Sequence, residues 1–328
     1  MENYRPAESE VQKCQEKIMT ILEEVSKGIV GQKLLANRLL MALFTKGHVL
    51  LEGLPGLAKT TAIKTIGNVC ELEFKRIQFT PDLLPADITG IEIFNMQTSE
   101  FKVRRGPIFT NLLLADEINR SPSKVQAALL EAMEERQVTI GDESFKLDSP
   151  FLVMATQNPV EQEGTYPLPE AQLDRFLFKV IVTYGSLEDE VEVMKRVAGG
   201  VFESIHKVAN KSDLEEISKV SSEVHISDEI RKYIAELVFA TRFPAEYGLN
   251  ELANMIEYGA SPRASLALEK VSKVNALFEG RNFVTPSDVK EIAHDVLRHR
   301  IKATYEAEAS NLTSDNIIDK ILGKIATP

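Results

Sequence analysis

The stretch His48-Val49-Leu50-Leu51-Glu52-Gly53-Leu54-Pro55-Gly56-Leu57-Ala58-Lys59-Thr60-Thr61 decides the architecture. Val49 to Leu51 form a short apolar run of the kind that makes a buried strand, and it ends in a glycine turn that opens a helix. Strand, glycine turn and Lys-Thr at a helix start make a phosphate cradle. Backbone N–H groups and the helix N-terminus face the anion, the lysine reaches its outer oxygens, and the hydroxyl serves a divalent cation. The general pattern is GxxxxGK[ST], and Ala58 stands in place of its second glycine. At a helix start, Ala58 is expected to take ordinary helical angles, where a methyl group is harmless. Gly53, Pro55, Gly56, Leu57, Ala58, Lys59, Thr60 and Thr61 are the candidate phosphate-binding residues. Taken alone, the octapeptide also admits a plain Gly/Pro turn with Lys59 in solvent, so the neighbouring strands decide.

The next strand supplies the missing charge. Asn111-Leu112-Leu113-Leu114-Ala115-Asp116-Glu117 is an apolar run closing on two carboxylates. Adjacent carboxylates at the end of a buried strand are costly unless their charge is used. Asp116 in a magnesium shell and Glu117 on an attacking water would use it. A third strand, Met154-Ala155-Thr156-Gln157-Asn158-Pro159, also ends in polar residues. Asn158 there suits a hydrogen bond to a terminal phosphate or the lytic water, although asparagine before proline is equally a common turn former.

Working outward, apolar or β-branched runs at 74–79, 111–115, 151–155 and 177–182 alternate with helical runs at 59–70 and 122–134. That alternation predicts an α/β fold with a parallel sheet covered on both faces. Helical spacing also fills 8–27 and 33–45. Two pieces break the alternation. Residues 88–106 read as a hairpin-like or irregular insertion, and 137–148 alternates about a turn at Gly141-Asp142. After Thr183 the pattern is almost wholly helical, with cap signals at Ser212-Asp213, Ser227-Asp228 and Thr285-Pro286. The domain boundary is therefore set at 184–186, giving a core over 1–184 and a helical domain over 185–328.

Composition narrows the function classes. The 328 residues carry 38 basic and 49 acidic side chains, a formal charge of −11. Such a balance argues against an electrostatic nucleic-acid clamp while leaving room for a local basic patch. Two cysteines, Cys14 and Cys70, make no CxxC pair and suggest a reducing, cytoplasmic setting. The five histidines are scattered, so no zinc site is expected. No apolar run approaches the roughly 20 residues of a membrane span, and the start MENYRPAESE shows no secretory signal.

Read together, GLPGLAKT at 53–60, LLADEINR at 113–120, EAMEERQV at 131–138, ATQNP at 155–159, EGTYPLPEAQLDRF at 163–176 and GASPRA at 259–264 strongly resemble the MoxR family of AAA+ ATPases. The family accepts alanine at position 58. The resemblance covers nearly the whole chain and is densest over 48–182. It implies an αβα core of five strands in the order 5-1-4-3-2, followed by a small helical lid. It also implies two insertions seen in magnesium-chelatase ATPase subunits. Here these are a helix-2 insertion at about 88–104 and a hairpin before the sensor strand at about 137–149, elements that usually face the pore of a ring.

The resemblance assigns roles residue by residue. Lys59 and Thr60 bind phosphate and Mg²⁺, Asp116 joins the Mg²⁺ shell and Glu117 is the catalytic base. Asn158 matches sensor 1 and Arg263, in Ser261-Pro262-Arg263, matches sensor 2. Arg175, in Leu173-Asp174-Arg175-Phe176, is the chosen arginine finger for a neighbouring subunit's ATP, with Arg120 a second candidate. Val30-Gly31-Gln32 resembles the segment beside adenine. Arg104-Arg105 suits either a pore or a subunit interface. The implied assembly is a hexameric ring of ATP- and Mg²⁺-dependent subunits acting like chaperones on proteins, with a partner bearing a von Willebrand factor A domain. A chelatase-type motor and a nucleic-acid motor are the alternatives. The second is weakened by Asp142, Glu143 and Asp148 facing only Lys146 in the second insertion.

Overall fold

The structure, a computed structural model, describes residues 5–53, 56–97, 99–158, 164–199 and 204–328. Two compact units divide the chain. One comprises Thr20–Phe176 and Val180–Ser212, the other the chain up to Met19, Leu177–Lys179 and everything from Asp213 onward. This division falls at 212/213, whereas the composition change lies at 184–186.

Among the described residues, nine strands belong to the first part of the chain: β1 (Val49–Glu52), β2 (Phe74–Gln78), β3 (Gly90–Asn95), β4 (Glu100–Arg105), β5 (Leu112–Asp116), β6 (Gln137–Ile140), β7 (Glu143–Lys146), β8 (Leu152–Gln157) and β9 (Phe178–Ile181). Five of them form one sheet in the order β2-β5-β8-β1-β9. Counted along the chain and read from the other edge, this is the expected 5-1-4-3-2. The β1–β8, β5–β8 and β2–β5 ladders are parallel. Val49, Leu50 and Leu51 are wholly buried, as are Leu113, Leu114 and Ala115. Alternate side chains point to opposite faces, so both faces of these strands are covered. On one face Leu50, Leu113, Ala115, Val153 and Ala155 join a core with Val125, Leu129 and Met133.

The helices of this region are α1 (Glu8–Gly28), α2 (Lys33–Phe44), α3 (Lys59–Val69), α4 (Pro85–Thr89), α5 (Ser123–Glu135), α6 (Glu170–Leu173) and α7 (Leu187–Gly199). Both irregular pieces are antiparallel hairpins. In the first, β3 pairs with β4, with Phe94 opposite Phe101, and the hairpin proper starts only after α4. In the second, β6 pairs with β7 about Gly141-Asp142 as expected.

His48 ties the sheet together just before β1. Its Nδ1 accepts the Val153 N–H at 3.0 Å, which leaves Nε2 to donate to the Met133 carbonyl at 3.2 Å. Both ring nitrogens are used by the neutral form. Burial, helped by the Arg136 charge, pushes its pKa down to about 3.

The helical unit contains α8 (Lys211–Glu223), α9 (Asp228–Arg242), α10 (Pro262–Phe278), α11 (Pro286–Leu297), α12 (Tyr305–Ala309) and α13 (Ser314–Lys324). Tyr233, Leu237, Leu268, Val271, Ile292 and Val296 are buried in its core. Two of the three expected caps form. The Ser227 hydroxyl accepts the Ile230 N–H at 3.3 Å, and the Asp288 carboxylate accepts the Thr285 N–H at 2.7 Å. The third is displaced: Ser212 already lies inside α8, and its N–H is accepted by the Asn210 side chain at 2.9 Å. The helical reading also missed a small antiparallel pair, β10 (Ile256–Tyr258) with β11 (Lys302–Ala303). Neither Cys14 nor Cys70 is in a disulfide and both are buried; burial raises the Cys14 thiol pKa to about 11. Among the described residues no helix is long and apolar enough to cross a membrane.

Candidate functional site

Parallel register brings the carboxyl ends of the central strands level. Gln78 lies opposite Asp116, and Glu52 opposite Gln157. Ligands of open α/β sheets bind at this end. Here it forms a cavity of about 390 Å³, lined by Gly53, Gly56 to Thr61, Arg76, Gln78, Asp116, Glu117 and Thr156 to Asn158.

The loop's glycines have separate reasons. A Cβ on Gly53 would sit 2.5 Å from the Val182 carbonyl oxygen, a distance no side chain tolerates. Gly56 has φ +86°, a left-handed value that side chains rarely adopt, and nothing lies within 4 Å of where its Cβ would be. Ala58 corrects the sequence expectation. It takes φ 54° and ψ 20°, the left-handed region, because it caps α3 from outside instead of forming its first turn. An L-residue there costs roughly 1–2 kcal/mol.

Lys59 reaches back along the loop to donate its Nζ to the Gly53 carbonyl at 2.5 Å. Burial lowers its pKa, and the nearby charges of Asp116, Glu117 and Glu52 work in the opposite direction. On the facing side, Thr156 donates its hydroxyl to Asp116 Oδ1 at 2.6 Å and accepts the Glu117 N–H at 2.9 Å. Arg76 holds Asp116 Oδ2 through Nε at 3.1 Å and Nη2 at 2.5 Å. Glu117 Oε2 receives Gln78 Nε2 at 2.8 Å and lies 3.1 Å from Arg120 Nε. Glu117 also occupies the left-handed region, at φ 57° and ψ 49°. Strained backbone of this kind persists where surrounding contacts over-determine it. Here a backbone and a side-chain hydrogen bond both fix the residue.

The cavity thus gathers Gly53, Gly56, Leu57, Ala58, Lys59, Thr60, Thr61, Asp116, Glu117 and Asn158. Pro55 lies outside the described residues, as do Pro159 and Glu163 of the quoted motifs. Val30, Gly31 and Gln32 are not among its lining. Gln32 and Gly31 meet the segment after β9 instead, where Gln32 Nε2 donates to the Thr183 carbonyl at 3.2 Å and Gly31 abuts the Asp189 carboxylate. Arg175 also stands apart. Its Nη1 donates to the Leu130 carbonyl at 2.8 Å and its Nε lies 3.9 Å from Glu134. Arg263 belongs to the helical unit, in the first turn of α10, with its N–H on the Ser261 hydroxyl at 3.1 Å. Arg105 caps an aromatic pair, 4.8 Å from the Phe109 ring and 5.4 Å from that of Phe145.

Sequence reasoning missed Arg76, Gln78 and the part played by Thr156. Arg76 and Gln78 are two apart on β2 and so share a face, but only the β2–β5 register shows that the face borders Asp116. The residues present fit a magnesium nucleotide. The Thr60 hydroxyl and Asp116 carboxylate are oxygen donors of the type a hard divalent cation takes. Lys59 and the open turn at Gly56 suit the phosphates.

A sheet in this order, with a phosphate loop on its first strand, an acidic pair on its third and a separate helical unit, defines an AAA+ P-loop ATPase with a lid. The sequence pattern of the ATPase family associated with various cellular activities matches residues 48–178, and that of the AAA lid domain matches 251–321. Chaperone MoxR1 of Mycobacterium tuberculosis is 48% identical over 305 residues, covering 93% of this chain and 81% of that protein. The uncharacterized protein YeaC of Bacillus subtilis is 42% identical over 308 residues, covering 94% and 93%. A crystal structure from Cytophaga hutchinsonii, of a protein taken to be an ATPase, superposes with a TM-score of 0.93 at 53% identity and 98% coverage of both chains. The chain belongs to the MoxR family of AAA+ ATPases.

Proposed function

We propose that this ATPase hydrolyses Mg²⁺·ATP to remodel or mature partner proteins. The observation that carries the hydrolytic reading is the placing of Lys59, Thr60, Asp116 and Glu117 around one polar cavity. Lys59 and the loop N–H groups bind the phosphates, with Thr60 and Asp116 on the cation. Mg²⁺ held by these two residues would supply charge neutralisation for the phosphates. Glu117, held by Gln78 and Arg120, takes a proton from the attacking water as the bond between γ-phosphorus and the bridging oxygen breaks, leaving ADP and phosphate. Asn158 orients the water or the γ-phosphate.

The remaining roles follow the family. Val30, Gly31 and Gln32 lie beside the base, Arg263 acts as sensor 2 from a lid over 185–328, and Arg175 completes the site of a neighbour in a hexameric ring. The protein-directed reading is supported by the similarity to a relative named as a chaperone. A cytoplasmic setting, a von Willebrand factor A partner and metal-cofactor insertion into partner proteins belong to the same reading. A chelatase-type motor remains the alternative. A direct test is aggregation of a heat-unfolded model protein. The native chain with ATP should suppress it and Lys59→Ala should not. Equal protection by both, or protection without ATP, would contradict the proposal.

A further inference from the structure

We propose that Arg76 is a built-in counter-cation for Asp116, which gives way when Mg²⁺ arrives and so sets how strongly Mg²⁺ tightens nucleotide binding. The inference rests on the nucleotide reading of the cavity. Its basis is the division of labour between the two oxygens of Asp116. Oδ1 is taken by the Thr156 hydroxyl, whose own oxygen is occupied by the Glu117 N–H. Oδ2 receives two donors of Arg76, and Nη2 of the same guanidinium reaches Gln78 Oε1 at 3.0 Å. Thr156 therefore fixes the direction of the carboxylate, while Arg76 neutralises the oxygen left over for a cation.

Arg76 is suited to leaving as well as to pairing. Its side chain is 49% exposed, whereas that of Asp116 is 19% exposed, so the arginine moves at little desolvation cost and the aspartate stays in place. A dication at Oδ2 repels a guanidinium held at 2.5 Å from the same oxygen. The two cations therefore compete, and each is bound more weakly in the presence of the other. In the metal-free state Arg76 neutralises Asp116 while Arg120 pairs with Glu117, which lets an anionic nucleotide approach Lys59. Without Arg76 the Asp116 charge would be left for the metal to neutralise.

Calorimetric titration of the full chain with AMP-PNP, in excess MgCl₂ and in excess EDTA, reads this directly. The quantity compared is the dissociation constant in EDTA divided by that in MgCl₂. In Arg76→Gln the ratio should rise by about fivefold or more, the lower end of ordinary coupling between sites. Arg76→Lys keeps the charge without the two-donor grip and should fall between Arg76→Gln and native, and it carries the test should the glutamine variant fail to fold. An unchanged ratio, or equal weakening in both buffers, would overturn the inference and make Arg76 a plain phosphate contact. A native chain that binds AMP-PNP in neither buffer would instead overturn the nucleotide reading, and this inference with it.

Discussion

Ala58 and Glu117 hold left-handed backbone at φ 54° and 57°, one on each side of the cavity. Ala58 is exposed, so Ala58→Gly should raise stability by about 0.5–1 kcal/mol after allowing for the extra freedom of glycine in the unfolded chain. Urea denaturation of the nucleotide-free protein measures it, and a lower midpoint would show that the methyl group packs favourably. The motif made position 58 legible as part of the loop but not its dihedral angles, because a capping residue and a first-turn residue share the same sequence pattern. Lys59, Asp116 and Glu117 were legible for firmer reasons: the lysine follows a glycine turn at a helix start, and the two carboxylates close an apolar run. Arg76 and Gln78 were not, since both stand on a strand, Phe74–Gln78, that is largely accessible and carries two cations of no evident purpose in sequence. Their purpose depends on register with β5, which no local pattern encodes.

Among the elements, β1 and β8 are joined by His48 as well as by their ladder. The folded pKa near 3 lies below the ordinary 6.5. The unfolded state then binds a proton that the folded state refuses as pH falls below 6.5. Stability from this residue is complete above that value and is lost toward pH 3, at about 1.4 kcal/mol per pH unit. The native chain should therefore lose stability between pH 6.5 and 5 more steeply than His48→Gln, even though the variant starts lower. Parallel slopes would show that His48 does not carry the dependence. Strands, main helices and the second hairpin were legible because periodicity or a Gly-Asp turn announces them, whereas the first piece read only as hairpin-like or irregular. The β10–β11 pair was not. Its strands are three and two residues long, too short for alternation to register, and they meet across about forty residues that hold α10 and α11.

For the whole molecule, the ring reading makes a kinetic demand. If Arg175 acts across an interface, specific ATPase activity of the native chain should rise with protein concentration as subunits associate. Arg175→Ala should then bind AMP-PNP normally yet show activity reduced about 10³-fold or more at every concentration, the order expected for an arginine finger. Activity that is flat with concentration and indifferent to this substitution would leave Arg175 with its contacts to Leu130 and Glu134 alone.

Glu117 offers the most direct measurement: phosphate release by the native chain and Glu117→Gln, with AMP-PNP binding followed on the same samples. The glutamine keeps the shape of the side chain but cannot take the proton from water. Binding should persist while hydrolysis falls by at least about 100-fold. Hydrolysis at the native rate in Glu117→Gln would contradict the assignment of this cavity as the site where ATP is cleaved.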